Sequence, residues 1–568
     1  MTPSSLESQL QALVQACLRD LPGADALADL RVVLEIPRIR SHGDLSASVA
    51  LQLAASLKKP PMALAQALAD LVNKALEDSA LKPLVERVEY KPPGFVNFFL
   101  SQAFLSDLLK TVLVQGADYG RTQLGAGRKV LVEFVSANPT GPLSVAHGRQ
   151  AAVGDALAAL LDFAGYDVAR EYYLNNEGTQ IDLLGQSILA RAREGQGLPA
   201  QFPENGYKGA YVTQAGAKWV AQVGGKVLEA EDAEDQARAF GVAELTALIR
   251  SQLDAFGVRF KEWYPQSALR DNDYLNESLE KLKAKGYLYE QDGAWWLKST
   301  AFGDDKDRVV IRSDGRMTYI ASDIAYHRKK FERGFDLLIN LWGPDHHGYI
   351  ARIKAAMAGL GFSPEALKIR IVQLCTLKRE GKMIPMSTRE GEFITLTQVM
   401  DEVGKDAARF FFLMRKMDAH LEFDLELAKQ HSMENPVYYI QYGHARISSI
   451  LRQPVAASAD PDFSRLSAPE EIALLKRIRE FPGMINLCAE NLEPLGIITY
   501  LQELSETFHR FYDRCRVVSD DAVLTASRLK LVEAVLCLTR SLSVILTRPK
   551  AGKNLRRSSR HFQGNASG

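Results

Sequence analysis

The chain has 568 residues, 46% of them apolar and 24% charged, with 69 lysines and arginines against 69 aspartates and glutamates. This is globular composition for three or four domains. No stretch approaches the roughly 18 apolar residues of a membrane-spanning helix. The cysteines Cys17, Cys375, Cys488, Cys515 and Cys537 lack metal-ligand spacing, which argues against a disulfide framework or a structural zinc site. The opening MTPSSLESQL has no basic patch before an apolar run, so no secretory leader is predicted and a reduced, cytoplasmic location is expected. Neutrality argues mildly against a polyanionic partner, but it conceals an asymmetry. Six basic residues and no acidic one lie between Arg548 and Arg560, leaving 63 basic against 69 acidic residues, a body of net charge −6. The segment 547–568 is predicted to be a disordered basic tail.

In chain order, helical periodicity covers Leu6 to Leu18, Ser48 to Lys58 and Pro61 to Asn73, with Pro60 as the break. A strand pair, VERVEY and FVNFFL, turns at Pro92-Pro93-Gly94. After the glycine-rich linker QGADYGRTQLGAGRK the texture becomes strand–helix alternation. It runs through the strand KVLVEFVS, the loop ANPTGPL, a helix from Ala146 to Phe163 and the strand DVAREYYL. A charged helical run from about 181 to 259 reads as an insertion, followed by the strand DLLINLWG, a helix from Tyr349 to Leu360 and the strand IRIVQLC. Such alternation predicts a parallel, doubly wound sheet. Beyond Leu396 the chain reads as helical to Leu546, broken by ASADPDFSRLSAPEE. The predicted fold class is multidomain α/β: a Rossmann-like parallel-sheet domain, an N-terminal α+β domain and a C-terminal all-α bundle.

The first strand–loop–helix junction carries the most chemistry. Ligands of open parallel sheets bind at the carboxyl ends of strands, where a helix N-terminus offers free N–H groups to phosphate. Pro139, Gly141 and Pro142 stiffen the loop and allow close approach, and His147 stands at the helix entry as a phosphate donor. Alone, SVAH is also an ordinary capped helix start. Tyr319 and Asp323 lie four apart on a predicted helix, where an i,i+4 pair is more often a plain surface contact. His346 and His347 are adjacent and lack a third ligand, so a metal site is rejected.

Taken together, ANPTGPLSVAH (137–147), DVAREYYLNNEGTQI, WGPDHHGYI (342–350), DEVGKDAARFFFLMR (401–415) and the stretch 423–453 resemble arginyl-tRNA synthetases, in that order and over residues 1–546. HGDLSASVALQLA (42–54) and PPGFVNFFL resemble that family's N-terminal domain. The resemblance implies an arginine–tRNA ligase that activates L-arginine with ATP, as its Mg2+ complex, to arginyl-adenylate and charges tRNA(Arg). It implies no bound protein metal and no membrane partner, and a monomer is expected. It divides the chain into a tRNA-binding domain (1–115), a catalytic domain (125–395), an anticodon-binding bundle (396–546) and the tail.

By the same resemblance Tyr319 and Asp323 hold the guanidinium, while Glu133 and Asn138 hold other polar groups of arginine. Pro139, Thr140, Gly141, Pro142, Ala146, His147, Gly343, Asp345, His346 and His347 line the ATP site. Phe95 and Asn97 are expected at a D-loop base, and Tyr438, Tyr442 and Arg446, beside Tyr439, His444 and Arg452, at the anticodon. At least half of these aromatic and basic residues are expected in a buried seam instead. Two signatures depart from the family. Ser144 and Ala146 replace the first His and the Gly of His-x-Gly-His, and Pro385-Met386-Ser387-Thr388-Arg389 stands for Lys-Met-Ser-Lys. Arg389, with Lys382, is expected to supply the missing charge, Met386 and Ser387 to keep their places, and Arg149 lies two residues past His147. Two rivals stand beside this reading. A cysteinyl-type synthetase would need a zinc site that these cysteines do not make. A silent tRNA-binding paralogue need not retain Glu133, Asn138, Tyr319, Asp323 and His147.

Overall fold

A computed structural model describes residues 3–21, 30–37, 39–271, 273–384, 393–453 and 459–547. Met386, Ser387, Arg389 and the expected basic tail lie outside these. The chain divides into two compact units, one made of Met1–Arg121, Tyr439–Leu487 and Thr499–Leu542, the other of Thr122–Tyr438, Cys488–Ile498 and the chain from Ser543.

The first unit begins with α1 (Pro3–Arg19), β1 (Leu34–Glu35), β2 (Leu45–Ala47), α2 (Val49–Leu57), α3 (Pro61–Glu77), β3 (Val85–Lys91), β4 (Phe95–Leu100) and α4 (Gln102–Gln115). Its sheet runs β1-β2-β4-β3, antiparallel throughout. Leu64, Leu68 and Val72 recur along one face of α3 and are buried. The short strands β1 and β2 carry too few residues for a period-2 signal.

The second unit continues with β5 (Lys129–Glu133), α5 (Val145–Phe163), β6 (Asp167–Leu174), α6 (Thr179–Gly195), α7 (Ala210–Val223), α8 (Ala233–Ala255) and β7 (Glu262–Pro265). Next come α9 (Ser267–Asp271), α10 (Tyr274–Ala284), β8 (Leu288–Gln291), β9 (Ala294–Leu297), β10 (Arg308–Ile311) and α11 (Tyr319–Glu332). Then follow β11 (Leu337–Trp342), α12 (Ile350–Leu360), β12 (Leu367–Ile371), β13 (Cys375–Arg379), β14 (Lys382–Met383), α13 (Leu396–Val403), α14 (Lys405–Phe412), β15 (Leu421–Asp424) and α15 (Leu425–Lys429). Four long helices complete the described chain: α16 (Pro436–Ile450), α17 (Pro469–Asn491), α18 (Leu495–Arg514) and α19 (Ala522–Thr547).

The expected parallel sheet is present, with order β12-β11-β5-β6-β7. Val130, Leu131 and Val132 of β5 are buried, as both faces of a parallel sheet require. The chain leaves β5 for β6 on one side and returns to β11 on the other, so the switch point lies between β5 and β11. The insertion, α6 to α8, has its own core around Ile188, Trp219 and Leu245.

Three expectations are corrected. The apolar run KVLVEFVS leaves the sheet at Glu133 because Val135 and Ser136 turn left-handed, with φ of 68° and 41°. The last parallel strand is Leu367–Ile371 rather than 369–375, since Val372 N–H turns to the Trp342 carbonyl at 2.8 Å and Gln373 N–H to the Met417 carbonyl at 2.8 Å. The segment beyond Leu396 is not wholly helical, because Leu421–Asp424 pairs in parallel with β13.

One carboxylate anchors the second unit. Asp155, on α5, is buried and accepts from Arg170 Nε at 3.2 Å and Arg409 Nη2 at 2.7 Å, while Arg409 also donates to the carbonyls of Phe256 and Leu546. Asp155→Ala leaves two buried guanidiniums without their anion, a loss of about 3–5 kcal/mol. All five tryptophans (Trp219, Trp263, Trp295, Trp296 and Trp342) belong to this unit. Urea titration followed by their fluorescence should therefore show a lower midpoint.

Candidate active site

The site forms where β5 and β11 end. The left-handed turn after Glu133 folds Ser136 back, so its hydroxyl donates to Glu133 Oε1 at 3.0 Å and accepts from the Tyr173 N–H at 3.1 Å. A β-branched residue such as Val135 pays for that backbone with strain. In register, Glu133 lies beside Asn340 of β11 and Glu171 of β6, so the three share one face of the sheet.

Helix α11 covers that face. Lys330 Nζ donates to Glu133 Oε2 and, at 2.9 Å, to Asn340 Oδ1. Asn340 Nδ2 lies 2.7 Å from His327 Nε2, and His327 Nδ1 lies 2.7 Å from the Asp323 carbonyl. Tyr326 Oη donates to Glu171 at 2.6 Å, and Arg333 pairs with the other oxygen of Glu171. Asp323 and Tyr319 fall one turn apart on α11, as expected, with Tyr319 69% exposed. Burial, then the charge of Glu133, pushes the Asp323 carboxyl up to about 7, against a lowering contribution from Lys330.

The loop 134–144 is gripped by the insertion. Asn138 Nδ2 donates to Gln180 Oε1 at 2.7 Å, Tyr211 Oη to the Thr140 carbonyl at 2.8 Å, and Leu143 N–H to Gln252 Oε1 at 2.9 Å. The Tyr211 ring lies close over Gly141, where a Cβ would stand 2.9 Å from its Oη. Behind it, a Cβ on Gly154 would fall 2.2 Å from Phe134 Cγ, so α5 lies directly on the strand end. Tyr172 Oη closes the loop on the Ala137 carbonyl at 2.7 Å.

Ser144 is the N-cap of α5, and its backbone N–H donates to His147 Nδ1 at 3.2 Å. That bond makes Nε2 the protonated nitrogen of a neutral ring. Burial drives the His147 pKa down to about 4. Geometry thus gives Ser144 a capping part. Ala146 follows it in the first turn of α5. Gly343, Asp345, His346 and His347 lie in the turn after β11, on the same rim, the last three exposed and His346 Nε2 3.3 Å from Asp345.

Other residues fall elsewhere. Arg149 cannot serve a phosphate: its buried guanidinium donates to the carbonyls of Gln373 at 2.8 Å, Leu374 at 3.2 Å, Ala419 at 2.8 Å and Lys416 at 2.9 Å. Lys382 is exposed on β14. Asn97, expected beside Phe95 at a base, is instead 1% exposed with its Oδ1 accepting from Ser46 Oγ at 2.6 Å. Phe95 itself is half-buried. The buried seam expected for α16 is absent from its tyrosines: Tyr438 and Tyr439 are half-buried and Tyr442 is exposed. Arg446 lies over the rings of Tyr442 and Tyr512, at 4.7 and 4.2 Å, and His509 stacks on Tyr442 at 5.9 Å.

Sequence reasoning missed Lys330, Asn340, His327, Gln180 and Tyr211. Two left a signal: Asn340 is the polar residue in the apolar strand LLINLW, and Lys330 falls seven residues after Asp323, on the same helix face.

A parallel sheet with a loop and helix start at its switch point, and buried carboxylates beneath, has the architecture of nucleotide-using α/β enzymes. Comparison with known proteins narrows this. Residues 108–430 match the family model for tRNA synthetases class I (R), catalytic domain, 440–546 the DALR anticodon binding domain, and 8–100 the arginyl tRNA synthetase N terminal domain. The chain is 47% identical over 522 residues to an arginine–tRNA ligase of Syntrophotalea carbinolica, covering 90% of this chain and 93% of that one. It is 43% identical to the Geobacillus kaustophilus arginine–tRNA ligase, covering 95% and 97%. The arginyl-tRNA synthetase structure of Thermus thermophilus shares the fold, with a TM-score of 0.76 at 21% identity, covering 96% of this chain and 99% of that one. The chain belongs to the arginyl-tRNA synthetase family and is a class I arginine–tRNA ligase.

Because its depressed pKa keeps the ring neutral above about 4, His147 should show no titration between about pH 5 and 8. Nitrogen chemical shifts of labelled histidine, assigned by comparison with His147→Gln, would report this and the Nε2–H tautomer.

Proposed function

We propose that the rim between β5 and β11 activates L-arginine with ATP, taken as its Mg2+ complex, and passes the arginyl group to tRNA(Arg). One arginine carboxylate oxygen attacks the α-phosphorus in line, and the bond to pyrophosphate breaks. The terminal ribose hydroxyl of the tRNA then attacks the activated carbonyl carbon, and AMP leaves. A carboxylate nucleophile needs no general base, so positioning and charge stabilisation carry the step.

The observation that carries this reading is the pair of carboxylates, Glu133 and Asp323, which interact electrostatically at the switch point, with the Lys330 ammonium bonded to Glu133. A guanidinium is planar, permanently charged and a five-fold donor, which such a pocket suits. Tyr319 adds a ring beside it, and Asn138 a polar contact from the loop. Neutral His147 donates from Nε2 to a phosphate oxygen, with Pro139, Thr140, Gly141, Pro142 and the Gly343–His347 turn around the nucleotide. Arg389, aided by Lys382, takes the part of the absent signature lysines. The division into 1–115, 125–395, 396–546 and the tail belongs to this reading, as do a monomeric state and a cytoplasmic location. Its RNA-facing groups are Phe95 and the Tyr442–Arg446–Tyr512 cluster with Tyr438, whose faces suit unstacked bases. Among the described residues no helix is long and apolar enough to cross a membrane.

Arginine-dependent pyrophosphate exchange, with and without cognate tRNA, tests the whole reading; none with tRNA present would refute it. Two variants test the parts. Below pH 7 the Asp323 carboxyl is protonated and gives the guanidinium no charge-assisted bond; above it the carboxylate is present. The KM for arginine should therefore fall as pH rises through about 7 and then level. Asp323→Asn should raise it about 10- to 100-fold, the range of one charged hydrogen bond, and flatten the profile. Arg389→Ala should lower the turnover of activation about a hundredfold, the scale of one charge-stabilising donor, with a smaller effect on arginine KM. Stopped-flow adenylate formation would separate the two.

A further inference from the structure

We propose that Lys330 is a positioning residue for arginine recognition, its buried ammonium fixing Glu133 and leaving the pocket one negative charge for one guanidinium to cancel. The proposal rests on the reading of Glu133 and Asp323 as the arginine pocket.

Lys330 is 0% exposed. Burying an ion pair seldom stabilises a fold more than an apolar pair of the same size would, so stability alone is a poor reason for it. Its donors are committed: Glu133 Oε2 and Asn340 Oδ1 take two, and the ring of Tyr326 lies 4.3 Å away. The direction of each bond behind it is also set. His327 gives its Nδ1 proton to the Asp323 carbonyl, so Nε2 must accept from Asn340, whose oxygen is thereby turned to Lys330. The chain runs from the backbone of Asp323 to the carboxylate of Glu133. Both pocket acids are thus tied to one helix face.

The charges around Lys330 are few. Glu133 faces it from β5, Asp323 shares α11, and Glu171 from β6 has its own cation in Arg333. Tyr326, buried, and the partly buried Tyr173 on β6 and Tyr264 on β7 are phenols held neutral, their pKa values raised first by burial. His327 contributes no charge, being driven down to about 3 by burial and by Lys330. Two carboxylates and one ammonium remain. Lys330 already holds the Asp323 carboxyl down against burial and Glu133; without it that carboxyl rises above about 7, so one acid keeps its proton through the neutral range and arginine must displace it to bind.

The test uses the full chain with cognate tRNA, measuring pyrophosphate exchange across pH for the wild type, Lys330→Met, Lys330→Gln, Lys330→Arg and Asp323→Asn. Lys330→Met should raise the KM for arginine, leave the KM for ATP unchanged, and move the midpoint of kcat/KM for arginine up by about 1–3 pH units, the usual effect of a nearby opposite charge. Lys330→Gln, which keeps a donor but no charge, should shift the midpoint likewise, and Lys330→Arg should restore it. An unmoved midpoint in either neutral variant overturns the proposal, as does an equal rise in the KM for ATP. Failure of both neutral variants to fold, with Lys330→Arg folded, assigns the pair to stability and overturns it too. Asp323→Asn separates the two readings. If it leaves the arginine KM unchanged, the pocket itself is misassigned. If it raises that KM while Lys330→Met leaves the midpoint in place, only the role of Lys330 falls.

Discussion

A charge removed from water must be given a counter-charge, a proton or a ring of dipoles, and this constraint organises the catalytic unit. Across three neighbouring strands the sheet presents a row of polar side chains on one face, Asn340, Glu133 and Glu171. Helix α11 answers each: His327 for Asn340, Lys330 for Glu133, Tyr326 and Arg333 for Glu171. Asp155 is met by Arg170 and Arg409, and Arg149 by four backbone carbonyls. Asp323 lies beside the row, where burial and Glu133 favour its proton until a cation arrives.

The position of this row follows from topology. The chain leaves β5 for β6 on one side and returns to β11 on the other, which opens a crevice beyond the carboxyl end of β5, and the left-handed turn at Val135 and Ser136 ends the strand there. The loop alone would be loose. Gln180, Tyr211 and Gln252, one from each insertion helix, tie it by hydrogen bonds, so a segment placed between two strands acts as the brace of the phosphate-type loop. The neutral His147 fits the same logic: its Nδ1 is occupied by the helix cap, leaving a single uncharged donor.

The departures from the family signatures take on physical meaning here. Ser144, in place of a histidine, keeps the capping geometry that orients His147. Arg149, which the sequence offers as a spare cation, is spent on the carbonyls of 373–374 and 416–419, which immediately precede β13 and β15. It joins α5 to that small sheet and is out of reach of a phosphate.

The sequence by itself determined the parallel sheet, its helices, the switch-point loop and the family. These rest on local periodicity, turn chemistry and a run of motifs, all carried by neighbours in the chain. The resemblance assigned Glu133, Asn138, Tyr319 and Asp323 to one pocket, and the strand–loop–helix pattern put His147 at the helix entry beside it. The sequence reading overran β5 and missed β15, since a left-handed valine and a four-residue strand leave no periodic trace. Only the tertiary structure decided which charges face one another. Lys330 and Glu133 are 197 residues apart, and Arg409 and Asp155 254 apart, joined by the register of strands and the packing of helices. Asn97 likewise meets Ser46 across 51 residues, and Arg149 meets the Gln373 carbonyl across 224. Exposure and partner are properties of the packed unit, and neither residue type nor spacing encodes them.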